Sequence, residues 1–176
     1  MAVPLAERRR ANARITDLLL QAFAMRPGTV VGLYWPFKGE FDPRFVIRQW
    51  RAAGARGALP VVVHKHAPLE FREWWPGVAT CKGVYDLPVP LDTPLLRPDV
   101  LLIPPVGFDA QGYRLGYGGG YYDRTLAAMH PAPLKIGVAF ELSRIATIHP
   151  QPHDIPMDVI VTEAGIHSPG KFIQKV

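Results

Sequence analysis

Short apolar runs rich in β-branched residues recur along this chain with helical spacings between several of them, and that alternation restricts its fold more than any other feature. Ile15, Leu18, Leu19, Ala22 and Phe23 repeat at intervals of three and four, which predicts an amphipathic helix ending before Pro27 and Gly28. Thr29 to Tyr34 reads as a strand, Pro43 to Ala53 as a helix, and Ala58 to Val63 as a second strand set off by Gly54 and Gly57. Leu69 to Trp74 reads as a further strand, and the Pro-rich stretch through Pro98 as surface chain with little regular structure. Asp99 to Ile103, Ile136 to Phe140 and, last, Val159 to Thr162 are strands, with a helix over Gly119 to Met129. The alternation predicts an α/β fold, a three-layer, Rossmann-like and mostly parallel sheet with helices on both faces, taking ligands at the carboxyl ends of its strands. A length of 176 residues with 48% hydrophobic content suits one core, so residues 1–176 are expected to form a single domain.

Composition excludes several classes of function. No apolar run approaches the roughly 20 residues that cross a bilayer, and no signal-peptide core follows Arg8, Arg9 and Arg10, so the expected location is cytoplasmic, without a membrane partner. Cys81 is the one cysteine, which rules out an intramolecular disulfide and a cysteine-based zinc site within the chain. The net charge of +5 is scattered rather than striped, arguing against a nucleic-acid partner and suiting an anionic small substrate. His64 and His66 lack a nearby acidic or cysteine ligand, and neither Ser143 nor Ser168 lies in a nucleophile elbow.

Leu101 to Arg124 reads LLIPPVGFDAQGYRLGYGGGYYDR, a buried strand running into a glycine-rich loop and then a helix. Glycines at 116, 118, 119 and 120 let a ligand approach the backbone closely, and the free N–H groups of the following helix favour phosphate. The loop is neither a Walker loop, which needs Gly-Lys followed by Ser or Thr, nor the dinucleotide fingerprint, whose third glycine is replaced here by Tyr121. Arg114 and Asp123 flank it with charges suited to phosphate and metal.

Arg114-Leu115-Gly116-Tyr117-Gly118-Gly119-Gly120-Tyr121-Tyr122-Asp123 closely resembles the signature of the 5-formyltetrahydrofolate cyclo-ligase family. The resemblance implies an enzyme that turns 5-formyltetrahydrofolate into 5,10-methenyltetrahydrofolate, with ATP as co-substrate, Mg2+ as cofactor and a reduced folate as partner. It implies ATP contacts from Arg114, Leu115, Gly116, Tyr117, Gly118, Gly119, Gly120, Tyr121 and Tyr122, with Arg114 and Tyr122 catalytic. Tyr117, Gly118, Gly119, Gly120 and Tyr121 would also face the folate.

Asp123 matches the family's magnesium aspartate. Asp154, in His153-Asp154-Ile155-Pro156-Met157-Asp158, matches the second metal residue, while Asp158 reads as a strand cap and His153 as structural. Tyr34 to Asp42 resembles the substrate-binding turn, with Glu40 accepting hydrogen bonds from pterin nitrogens and Trp35 as an apolar wall. Without that resemblance, Glu40 reads as a charge before the next helix and Trp35 as core.

The N-terminus departs from the family pattern: the chain is expected to start at the helix that follows the family's Lys- and Arg-bearing first helix. Arg10 and Arg14, though spaced for one helical face, read as a solvated surface. A second reading therefore stays open, a non-catalytic paralogue that binds nucleotide or folate.

Overall fold

A computed structural model of the chain describes residues 4–170. In order they form α1 (Leu5–Ala22), β1 (Val30–Gly32), α2 (Arg44–Ala52), β2 (Arg56–Val61), β3 (Glu70–Trp74), β4 (Thr80–Lys82), β5 (Pro88–Pro90), β6 (Val100–Ile103), β7 (Gly107–Phe108), β8 (Arg114–Leu115), α3 (Tyr121–Ala128), β9 (Leu134–Val138), β10 (Val159–Thr162) and β11 (Gly165–His167). The central sheet has seven strands in the order β11-β10-β9-β6-β1-β2-β3. Its inner five are parallel, and β3 and β11 close the two edges antiparallel. Every residue of β1, β6 and β10 is buried, as expected of strands covered on both faces, whose sequences read as continuous apolar runs.

Alternate residues of β6 divide between two cores. Val100 and Leu102 join Ile15 and Leu19 of α1 and Val46, Ile47 and Trp50 of α2 on one face. Leu101 and Ile103 join Leu126 of α3 on the other. The Trp50 indole donates to the Phe23 carbonyl at 3.0 Å, fixing α2 against the end of α1. The predicted three-layer α/β architecture is thus observed, and no helix among the described residues is long and apolar enough to cross a membrane.

Three expectations need correction. The Pro-rich stretch contains the β4–β5 hairpin. Leu91 N–H donates to the Ala79 carbonyl at 2.9 Å and Gly83 N–H to the Leu87 carbonyl at 2.8 Å, so Pro88 and Pro90 fall at the alternate positions, where no ladder donor is needed. Val159 to Thr162 is not the last strand, because Gly165 folds β11 back onto it. The helix expected from Gly119 begins at Tyr121, since Gly118 (φ +87°) and Gly120 (φ +63°) hold the left-handed backbone that glycine adopts without strain.

Candidate active site

A cleft of about 740 Å³ opens at the carboxyl ends of β6, β9 and β10. Its walls include Arg10 and Arg14 of α1, Glu40 of the turn after β1, Val106, Tyr117 and Phe140. An open parallel sheet offers its ligand crevice at this end because successive crossovers leave the loops there free to diverge.

The turn after β1 is built to present Glu40. Its carboxylate accepts a hydrogen bond from Phe37 N–H at 2.9 Å and another from the Tyr117 hydroxyl at 3.2 Å. The Phe37 and Tyr117 rings meet edge to face with centroids 6.1 Å apart. Burial pushes the Glu40 carboxyl above its ordinary range, and those two hydrogen bonds only partly offset it. The Tyr34 hydroxyl donates to the Phe41 carbonyl at 2.9 Å, and Asn12 of α1 accepts from Asp42 N–H at 3.1 Å, so the turn is tied to both the core and the helix. Trp35 is half-buried, with the Arg44 guanidinium 4.5 Å above its ring and Trp74 at its edge. It packs against the core and is not among the residues that line the cleft.

The glycine-rich loop is held at its base by Asp109. This fully buried carboxylate accepts hydrogen bonds from Gln111 and Tyr113 N–H at 3.1 Å each and from Ile148 N–H at 3.2 Å. Beyond it, the Arg114 side chain is 6% exposed and forms an ion pair with Asp123 at 3.1 Å. Arg114 also donates to the Ile155 carbonyl at 2.9 Å, and Ile155 N–H donates to Asp123 at 3.0 Å. Asp123, at the start of α3, is thereby tied to the backbone of the segment before β10, one residue beyond Asp154. Tyr122 lies beneath, its ring 5.9 Å from the Arg114 guanidinium. Burial, then the charge of Glu40, pushes the Tyr122 hydroxyl far above its ordinary value, which keeps it a hydrogen-bond donor.

No cluster of three or more His, Cys, Asp or Glu side chains stands ready for a metal among the described residues. In donor chemistry Asp123 and Asp154 each suit magnesium, a hard cation that takes one or two carboxylates and completes its shell with phosphate oxygens and water. Asp154 has one oxygen on Gln151 N–H at 2.7 Å and the other 3.7 Å from the exposed His153. Asp158 binds Lys135 through backbone and ammonium, at 2.8 and 2.9 Å, and so ties β10 to β9.

The expected residues fall into two groups. Glu40 and Tyr117 share the cleft, while Arg114, Tyr122 and Asp123 gather at a separate corner, to which the segment carrying Asp154 is tied through Ile155. Leu115 ends β8, Gly116, Gly118, Gly119 and Gly120 form the connecting loop, and Tyr121 is the first residue of α3. The reading of Arg10 and Arg14 as mere surface is incomplete: both are exposed, but on the cleft wall, with Arg8 and Lys38 beside them. Their spacing of four showed that they share a helical face, without showing that a cleft lies against it. Asp109 carried no motif, and its role follows from the turn around it.

The sequence profile of the 5-formyltetrahydrofolate cyclo-ligase family matches residues 2–163. A 5-formyltetrahydrofolate cyclo-ligase from Escherichia coli (strain K12) is 35% identical over 143 residues, covering 77% of this chain and 79% of that protein. The solved 5,10-methenyltetrahydrofolate synthetase of Aquifex aeolicus superposes with a TM-score of 0.81 at 28% identity, over 98% of this chain and 89% of its own. That of Mycoplasma pneumoniae gives 0.74 at 25% identity, over 92% and 90%. With the profile spanning nearly its whole length and the fold shared from end to end, the chain belongs to the 5-formyltetrahydrofolate cyclo-ligase family.

Proposed function

We propose that this chain converts 5-formyltetrahydrofolate, ATP-dependently, into 5,10-methenyltetrahydrofolate, ADP and phosphate. The observation that carries the reading is the presence of two chemically distinct sites: a cleft with the half-buried, hydrogen-bonded carboxylate of Glu40, and the Arg114–Asp123 ion pair beyond the glycine-rich loop, tied to the segment that carries Asp154. A pterin presents adjacent ring and amino N–H groups, and Glu40 offers the acceptor pair they require. The loop from Arg114 to Tyr122 would bring backbone N–H groups to an anion, as a triphosphate requires.

In the proposed reaction the formyl oxygen attacks the terminal phosphorus of ATP and ADP departs. The second folate nitrogen then closes on the activated formyl carbon, and the C–O bond breaks to release phosphate. No protein nucleophile is needed, so the chain's contribution is orientation and charge stabilisation. Tyr117 would wall the pterin and Glu40 orient it, with Trp35 packed against the core near the start of the turn that carries Glu40. Arg114 would hold Asp123 and the segment before β10 in register, and Tyr122, its hydroxyl protonated, would donate a hydrogen bond to developing negative charge. Asp123 and Asp154 would hold magnesium, which when bound neutralises phosphate charge.

Purified protein given 5-formyltetrahydrofolate and magnesium should develop methenyltetrahydrofolate absorbance only when ATP is added. No product, with folate binding still detected by calorimetry, would replace the enzyme by a ligand-binding member of the family.

A further inference from the structure

We propose that Arg10 and Arg14 of α1 form an anion-binding wall that holds the carboxylates of the folate's glutamate tail. This rests on the folate reading above and adds to it a site for the opposite end of the substrate. The two arginines are one turn apart, about 6 Å along the helix axis, and share a face. Both are exposed and line the cleft with the small side chain of Ala11.

Among the described residues their charges are free of carboxylate partners, as are those of Arg8 and Lys38 on the same cleft. Arg44, Arg56, Arg114, Arg144 and Lys135 each have a carboxylate within 4 Å. Among the described residues neither Arg10 nor Arg14 has one, although Glu7 and Glu163 line the same cleft. Two cations left unpaired on a concave surface form an electrostatic trap for an anion.

The position of the cleft indicates which anion. Glu40 and Tyr117 line it, whereas Arg114, Asp123 and Asp154, the groups suited to a triphosphate and its metal, do not. The arginine wall therefore faces the compartment assigned to the pterin. A folate seated on Glu40 carries its anionic groups at the far end of its aminobenzoyl arm, as glutamyl carboxylates. The frame between the two ends is fixed, because Asn12 of α1 binds Asp42 N–H. At Gly39, an added Cβ would come within 2.8 Å of an Arg8 guanidinium nitrogen, so helix and turn are in close contact.

The test is steady-state kinetics of the Arg10→Ala/Arg14→Ala protein on 5-formyltetrahydrofolate as mono- and triglutamate, with Arg9→Ala, exposed on α1 and outside the cleft lining, as control. Losing charge-assisted contacts should raise KM for the triglutamate about tenfold or more, raise it less for the monoglutamate, and leave KM for ATP in place. The difference should shrink with added salt. A rise in KM for ATP with folate unmoved would assign the wall to the triphosphate instead, and equal KM values in variant and wild type would remove it as a ligand site. If the wild type makes no product, the cyclo-ligase reading fails separately. Calorimetry of the same proteins with the two folates then decides the wall, with loss of triglutamate preference expected and unchanged affinity overturning it.

Discussion

Glu40 is held where burial works against its charge, which gives its contribution to stability a definite sign. Its carboxyl is pushed above the ordinary range by desolvation. The folded protein therefore holds the Glu40 proton more tightly than the unfolded chain, and as pH rises through the window between the two values the side chain subtracts from stability. Glu40→Gln removes the charge and keeps both partners, because the amide oxygen can accept from Phe37 N–H while the amide nitrogen donates to the Tyr117 oxygen. Thermal melts should show the variant gaining on wild type as pH rises from about 4 to 8, even as kcat/KM falls about 10- to 100-fold for want of a charged acceptor. A variant less stable than wild type by the same margin at both pH values would show that its hydrogen bonds outweigh its charge. At this scale the motif named Glu40 and Tyr117, and the structure brings both to one cleft. That they bind each other is a property of two loops whose distance no local pattern encodes.

At the scale of elements, Arg114 and Asp123 join β8, α3 and the segment entering β10 into one corner, and that joint complicates the usual reading of a metal aspartate. Removing one partner from a buried pair costs roughly 3–5 kcal/mol, since the other charge is left uncompensated. Arg114 is 6% exposed and Asp123 21%, so the cost here should be somewhat lower, about 2 kcal/mol. Asp123→Asn should accordingly lower the denaturant midpoint by that equivalent as well as abolish turnover. The two effects separate by titration: turnover lost through the metal role responds to raised magnesium, whereas turnover lost through the joint does not. An unchanged midpoint would mean that Arg114 finds sufficient compensation in the Ile155 carbonyl. Strand and helix identities were readable because apolar runs and spacings of three and four are local. The β4–β5 hairpin and β11 escaped because one is proline-marked and the other, with Gly165 and His167, has no apolar run to reveal it.

Across the whole molecule, the same alternation that predicted a parallel sheet also located the cleft at the carboxyl ends of its strands. What the sequence pattern did not carry was which surface of α1 would be left facing that cleft, since helical spacing defines a face and only packing decides what lies opposite. The cleft draws its walls from α1, the turn after β1 and the loops after β6 and β9, so a ligand seated there bridges parts of the chain that are distant in sequence. Such a ligand binds the folded state alone, and at about a hundred times its dissociation constant it contributes about 2.7 kcal/mol, which for a chain of this length is a rise of about 5–11 °C in Tm. 5-Formyltetrahydrofolate triglutamate added without ATP should produce that rise in wild type and a smaller one in both Arg10→Ala/Arg14→Ala and Glu40→Gln at the same concentration, since a 10- to 100-fold weaker affinity leaves about 0.4–1.4 kcal/mol of the stabilisation. Because no turnover is involved, a scanning fluorimetry series reads the two ends of the folate independently of catalysis. Equal shifts in all three proteins would place the ligand elsewhere on the molecule, whatever the activity assay shows.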